Sequence, residues 1–231
     1  MASAPVSPAG ASSREPVVLV AGTISPEFAL DPLASRLEQQ GYDTYTFVLP
    51  GNGLGDIRDT ARALDAFVDG VRTATGTSRV DLVTHSQGGV VARQYLKFEG
   101  GAAEVDSAIL LASPNYGTVV GNIVKVLGLG DCVGIVACQQ MAIGSTFLAE
   151  LNAGDDTVGS VRYTNIYTRY DELVQPYGNS AMQDGATNVL VQSQCPLRIM
   201  GHIGLILDGA VADGVLDALR GEPVRLNCWA L

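Results

Sequence analysis

The chain has 231 residues, of which 47% are hydrophobic and 16% charged, and its formal net charge is −10. A chain of this length and composition can bury one substantial core, so it fits one α/β domain better than two. The acidic balance opposes binding to nucleic acid or to an anionic membrane surface, whereas neutral lipids stay open as partners because charge does not exclude them.

Short apolar runs that predict buried strands alternate along the chain with stretches that predict helices. The predicted strands cover residues 16–21, 43–49, 79–83, 106–112, 161–168 and 188–192. The predicted helices lie within residues 25–41, 56–71, 90–98 and 210–219. This alternation is typical of an α/β fold, with a mostly parallel central sheet and helices on both faces. We expect a flexible lead-in over residues 1–15, rich in Ala, Ser and Pro, and a single domain over residues 16–231.

Capping signals mark where the first two helices begin. Ser25 is expected to cap the first helix, with Pro26 in its first turn and Gly41 just past its end. Asp56 is expected to cap the second helix. The apolar residues of that helix recur at the helical period, so this stripe is expected to be core: Ile57, Ala61, Leu64, Val68 and Val71.

Residues 84–89, with the sequence Thr-His-Ser-Gln-Gly-Gly, join the third strand to the third helix. A serine at a strand-to-helix turn, with glycine two residues later, is the pattern of a nucleophile elbow. The turn is sharp, so Gly88 and Gly89 suit its crowded helix side. An ordinary glycine-rich turn is the alternative, but the flanking strand and helix favour the elbow. The pattern predicts Ser86 as the nucleophile and aims the N–H of Gln87 at the oxygen that the serine attacks.

A serine nucleophile needs a base, and the chain has two histidines, His85 and His202. His85 adjoins the serine, so its side chain is expected to leave the turn in another direction and to line or underlie the pocket. His202 lies in a glycine-flanked loop and is the predicted base. The orienting acid is expected between serine and histidine. Asp171 directly follows the fifth strand and is favoured, with Glu172 as its local rival.

Several candidate residues lie just past strand ends, where function collects in parallel sheets. Thr23 follows the first strand and is predicted to supply the second oxyanion donor, although a plain strand-to-loop turn explains it equally well. Three other acids lie in polar loops with no strand to place them, and are expected to be solvated: Asp155, Asp156 and Asp184.

Four cysteines, at positions 132, 138, 195 and 228, allow three pairings by count alone. The first two are close in sequence and the last two flank the C-terminal segment, which favours Cys132–Cys138 and Cys195–Cys228. The absence of a Cys-x-x-Cys motif, with only two histidines, argues against a zinc site. Disulfides imply an oxidising compartment. Residues 1–6 lack the regions of a signal peptide, so we interpret the start as a mature secreted form with an added methionine.

Residues 119–138 are unusually apolar for a surface connection. Lys125, Asp131 and four glycines interrupt the run, so it cannot span a membrane. A buried helix is one interpretation. A mobile lid or wall of an acyl-binding cleft, covering residues 117–141, is the other, and the pattern favours neither.

Four blocks of the sequence resemble the class 2 group of secreted, actinobacterial-type triacylglycerol lipases, and also yeast enzymes of the lipase B type. The blocks are residues 20–23, 84–89, 170–176 and 200–202. Cys195, with the Pro-Leu that follows it, and Cys228 match a disulfide near the histidine in the yeast enzymes. His85 departs from the tryptophan of the yeast enzymes.

The resemblance covers about residues 17–228 and implies an α/β-hydrolase fold and a triacylglycerol lipase or carboxylester hydrolase. It implies Ser86, Asp171 and His202 as the catalytic triad and Thr23 with Gln87 as the oxyanion hole.

These features predict a secreted hydrolase that cleaves lipid esters at an oil–water interface through an acyl-enzyme, without a metal or organic cofactor. No nucleic-acid partner and no integral membrane segment are expected. A polyester depolymerase or an acyltransferase could use the same triad, and an inactive hydrolase fold used for binding is the rival from another class.

Overall fold

The computed structural model of the chain describes residues 14–119, 132 and 134–230. Its strands are β1 (Val17–Val20), β2 (Thr44–Phe47), β3 (Val80–His85), β4 (Val105–Leu111), β5 (Arg162–Tyr167) and β6 (Thr187–Leu190). Its α-helices are α1 (Asp31–Gln39), α2 (Ile57–Thr75), α3 (Gln87–Phe98), α4 (Val136–Gln140), α5 (Thr146–Leu151), α6 (Val191–Gln194) and α7 (Gly209–Leu219). Within the described ranges, the strands form one parallel sheet of six in the order β2-β1-β3-β4-β5-β6.

Alternate side chains of each buried strand point to opposite faces of the sheet, and helices cover both faces. Val18 and Val20 of β1 belong to an apolar cluster that includes residues of α2, α3, α4 and α5. Val17 and Leu19 belong to a second cluster, which includes residues of α1 and α7. The predicted α/β fold, with a parallel sheet between two helical layers, is confirmed.

The two predicted helix starts have different outcomes. Asp56 caps α2 as predicted, since its side chain accepts a hydrogen bond from the backbone N–H of Arg58. The Ser25 cap is wrong: a 3-10 turn over Glu27–Leu30 comes first, and α1 begins at Asp31 without a side-chain cap. Pro32 lies in the first turn of α1, where its missing N–H costs nothing.

Both predicted cysteine pairs are joined in the structure, Cys132 with Cys138 and Cys195 with Cys228. Most of the predicted lid, residues 120–131 and 133, lies outside the described residues, so the lid stays a prediction. Near its C-terminal end, Ala137 and Cys138 are buried in the core, as the buried-helix interpretation requires there.

The predicted lead-in also lies outside the described residues as far as residue 13. At Arg14 the chain already contacts the domain, because the exposed Arg14 guanidinium binds the carbonyl of Gln40 and lies over the ring of Tyr42. In the described part of the chain, no helix combines the length and the apolar character needed to cross a membrane.

Candidate active site

Ser86 alone makes the turn between β3 and α3. Its φ of 56° and ψ of −127° are strained for a residue with a side chain. Two bonds hold this conformation: the Ser86 N–H donates to the carbonyl of Leu111 at 2.9 Å, and the Ser86 carbonyl accepts from the N–H of Gly89 at 3.0 Å. The serine therefore lies at the carboxyl end of a central strand, where the elbow pattern predicts it.

Glycines make this sharp turn sterically feasible. A Cβ on Gly88 would lie 2.5 Å from the carbonyl oxygen of Ala21 and 2.6 Å from that of Val20. A Cβ on Gly89 would overlap the hydroxyl of Ser113. Helix α3 therefore starts in direct contact with the backbone of β1, which only a glycine at position 88 permits.

Asp171 and His202 form a buried pair beside this turn. The imidazole Nδ1 of His202 lies 2.8 Å from Oδ2 of Asp171, and both side chains are 1% exposed. The other oxygen, Oδ1, accepts the N–H groups of Leu173 and Val174 at 2.8 and 2.7 Å. The carboxylate is thus fixed by its own loop and orients the imidazole.

The second nitrogen of His202 is the chemically open one. Because Nδ1 donates to a carboxylate, the lone pair of the neutral ring is on Nε2. His202 Nε2 is buried and has no hydrogen-bond partner among the residues that the structure describes. His202 and Ser86 line the same cavity. An unpartnered basic nitrogen and a serine hydroxyl are therefore brought to one place.

His85 lines the same cavity and packs against His202, in line with the prediction that it lines or underlies the pocket. Its Nε2 lies 3.2 Å from the backbone oxygen of His202, and the two ring centroids are 4.7 Å apart. Burial, with a smaller contribution from the charge of His202, lowers the pKa of His85 to about 3. His85 is therefore neutral near pH 7 and does not compete for the proton of the serine.

The rival acid Glu172 does not contact the imidazole by any hydrogen bond described. Its Oε2 accepts the backbone N–H of His202 at 2.9 Å instead. The sequence predicts Glu172 only as a rival of Asp171 and does not reveal this contact. The pair of consecutive acids after a strand was the available signal.

The expectation that Asp156 is solvated is wrong. Asp156 is 4% exposed, and its carboxylate accepts the hydroxyl of Tyr116 at 2.5 Å and the backbone N–H groups of Gln183 and Asp184. Asp155 and Asp184 are exposed neighbours in the same cluster. A ring of donors compensates for the burial of this carboxylate.

The two predicted oxyanion residues touch each other. The hydroxyl of Thr23 donates to Oε1 of Gln87 at 2.5 Å, and Nε2 of Gln87 donates to the carbonyl of Gly53 at 2.8 Å. The Gln87 side chain thus ties the loops after β1 and β2 to the elbow. The backbone N–H of Gln87, at the first position of α3, has no partner within the helix. The oxyanion roles of both residues stay predictions.

A cavity of about 420 Å³ opens beside Ser86. Its walls are mostly apolar, and three of the lining side chains are more than half exposed: Phe28 at 70%, Ile203 at 52% and Leu207 at 51%. Sequence reasoning did not single out these residues. The one indication in the sequence is that each of them follows Thr23 or His202 within a few residues. Such a cavity suits an apolar ligand that meets few polar groups.

Comparisons with known proteins identify the family and the fold of this chain. The family described as Lipase (class 2) matches residues 14–210. Lipase B of Pseudozyma antarctica is 27% identical over 206 residues, which are 84% of this chain and 58% of that protein.

Two crystal structures show the same fold. Aspergillus fumigatus lipase B has a TM-score of 0.79 at 22% identity, over 97% of this chain and 58% of that chain. Bacillus licheniformis lipase BlEst2 in mature form has a TM-score of 0.68 at 17% identity, over 88% of this chain and 90% of that chain. The chain thus spans 58% of the length of the two lipase B proteins that it matches.

Proposed function

This chain belongs to the class 2 lipase family, and from that premise we propose that it is a secreted triacylglycerol lipase that forms an acyl-enzyme on Ser86. The observation that carries the proposal is that Nε2 of His202 has no hydrogen-bond partner among the described residues. Asp171 orients the ring of His202, and this residue lines the same apolar cavity as Ser86. A nucleophile, a base and an orienting acid in this relation are the requirements of serine esterase chemistry.

In the proposed reaction, Ser86 attacks the ester carbonyl while Nε2 of His202 takes the hydroxyl proton. The imidazolium then gives this proton to the leaving alcohol, and the acyl group remains on the serine. Asp171 stabilises the imidazolium. Water, activated by the same nitrogen, attacks the acyl-enzyme and releases the fatty acid.

The negative oxygen formed at each attack needs donors that are already in place. We assign this role to the N–H groups of Gln87 and Thr23. The placement of Gln87 at the helix start, and the hydrogen bond that joins its side chain to Thr23, support the assignment.

The cavity supports a lipid ester as substrate. Its apolar walls favour an acyl chain, and the exposed Phe28, Ile203 and Leu207 would lose their cost of exposure at an oil surface. The net charge of −10 favours neutral lipids over anionic ones. The two disulfides support secretion, because they persist in oxidising compartments.

The test is hydrolysis of emulsified triacylglycerols of graded chain length beside soluble short-chain esters, with fluorophosphonate labelling of the active serine. We expect activity on the emulsions, labelling at Ser86, and loss of both in Ser86→Ala. Ser193→Ala, which removes an exposed serine hydroxyl on α6, is the matched control. Turnover of short esters alone would contradict the lipase proposal, and labelling of another serine would contradict the mechanism. An added alcohol acceptor separates hydrolysis from acyl transfer.

A further inference from the structure

Side chains hold the backbone of His202 at both of its polar groups. The N–H of His202 donates to Oε2 of Glu172 at 2.9 Å, and its carbonyl lies 3.2 Å from Nε2 of His85. His202 lies in the loop that follows β6 and α6, directly before the 3-10 turn Ile203–Ile206. Its peptide groups are therefore fixed by tertiary contacts where sheet hydrogen bonds do not reach.

His85 acts here as a hydrogen-bond donor. A carbonyl oxygen can only accept, so the proton of the neutral His85 ring must be on Nε2. The rings of His85 and His202 also touch, at an interplanar angle of 49°. The other nitrogen of His85 faces Gly22, where an added Cβ would lie 3.2 Å from Nδ1. The ring is thus packed on both sides, which fixes the direction of its N–H.

Glu172 reaches His202 across a glycine. A Cβ on Gly201 would lie 3.0 Å from the carboxyl carbon of Glu172 and closer still to Oε2. The backbone of Gly201 is not left-handed, so an alanine there would act through this contact and not through strain. Glu172 is exposed, unlike Asp171 beside it, but its carboxylate still accepts the backbone N–H of His202.

We propose that Glu172 and His85 are positioning residues that fix the two peptide groups of His202 and so aim its Nε2 at Ser86. The inference rests on the proposed function, in which His202 is the base. Asp171 fixes only the Nδ1 end of the ring, and a ring held at one end can still pivot. Since a misplacement of about 1 Å at a reacting group can cost about 10²-fold in rate, the backbone bonds matter for turnover.

Paired substitutions separate positioning from folding. Glu172→Ala and His85→Phe remove the backbone bonds, whereas Glu172→Gln keeps an acceptor and His85→Gln keeps a donor. With a soluble ester, we expect kcat per phosphonate-titrated site to fall by about 10²-fold in the first two variants. The KM of Glu172→Ala should change by less than about twofold, because substrate binding is untouched. Glu172→Gln and His85→Gln should recover most of the loss.

Gly201→Ala breaks the Glu172 contact from the opposite side. It should lower kcat like Glu172→Ala, and the double variant should lose little more, because both changes remove one interaction. Glu222→Ala, at an exposed glutamate after α7, is the surface control.

Two results would overturn the positioning role. One is a normal kcat per titrated site in Glu172→Ala, even if its melting temperature falls. The other is a failure of Glu172→Gln to recover activity. In either case, the proposed function would still be supported if the Ser86→Ala and His202→Ala variants are inactive. An active His202→Ala variant would instead refute the proposed function itself.

Discussion

Adding one methyl group at Gly88 directly tests whether the strand-to-helix turn at Ser86 requires a glycine at this position. In Gly88→Ala the new Cβ would lie 2.5 Å from the carbonyl oxygen of Ala21 and 2.6 Å from that of Val20. A relaxed carbon–oxygen contact is about 3.3 Å, so α3 and β1 must separate by roughly 0.8 Å. Both oxygens belong to the backbone, of the last residue of β1 and of the residue after it, and cannot rotate away like a side chain. We expect the variant to lose about 1–3 kcal/mol of unfolding free energy, the usual cost of overpacking.

The same displacement moves the neighbouring N–H of Gln87 and the hydroxyl of Ser86. We therefore expect kcat per titrated site to fall by about 10²-fold. Gly70→Ala is the matched control, because Gly70 lies on the exposed side of α2 with nothing within 4 Å of its added Cβ. It should gain about 0.5–1 kcal/mol. Urea unfolding and turnover of a soluble ester measure both effects. A Gly88→Ala variant with wild-type stability and wild-type kcat would refute the crowded-elbow argument.

Three further changes test separate parts of the site and the core. Asp171→Asn should lower kcat by about 10⁴-fold, because the imidazolium of His202 loses its partner; a loss below tenfold, measured on a soluble ester, would exclude Asp171 as the orienting acid. Thr23→Val should lower kcat by about 10²-fold, because a charged oxyanion competes better than the amide of Gln87 for the proton of the Thr23 hydroxyl. Thr23→Ser keeps the hydroxyl and should restore the rate. Wild-type turnover in Thr23→Val would mean that Thr23 stabilises the oxyanion through its backbone N–H alone. Burial raises the pKa of Asp81 to about 7. The native state therefore keeps a proton that the unfolded state releases above about pH 4. As a result, the free energy of unfolding falls as the pH rises from about 4 towards about 7. Urea unfolding of Asp81→Asn should therefore show its advantage over the wild type growing between about pH 5 and about pH 8, and a constant difference would contradict this origin.

The elements of the fold were predictable where a periodic pattern and a local signal agreed. The stripe of α2 and its Asp56 cap point to the same helix, and both are confirmed. Ser25, Pro26 and Glu27 have the residue types of a helix start, but the element that begins at Glu27 is a 3-10 turn, which such types also begin. The strand predicted over residues 188–192 ends at Leu190, because the short apolar run continues into α6 and its period cannot separate a strand from a helix.

The site was predictable residue by residue, but its contacts were not. Ser86 and Asp171 each follow a strand, and His202 was one of only two histidines. The bond between His85 and His202 joins residues 117 positions apart, and the bond between Thr23 and Gln87 joins residues 64 positions apart. Nothing local in the sequence encodes such distances, because the packing of the whole sheet sets them. The supporting contacts therefore became visible only in three dimensions.

The two histidines show how neighbours divide one residue type between two tasks. Both rings are buried and their centroids are 4.7 Å apart. His85 faces a carbonyl oxygen, which cannot neutralise a positive charge, so burial holds its pKa near 3 and it remains a neutral donor. His202 faces the carboxylate of Asp171 at 2.8 Å, which offsets the cost of placing a positive charge there. A proton leaving Ser86 therefore has one acceptor among these rings, and the other ring is free to hold that acceptor in position. Without Asp171, a positive charge on the buried ring of His202 would have no carboxylate beside it, which is why the acid matters as much as the base.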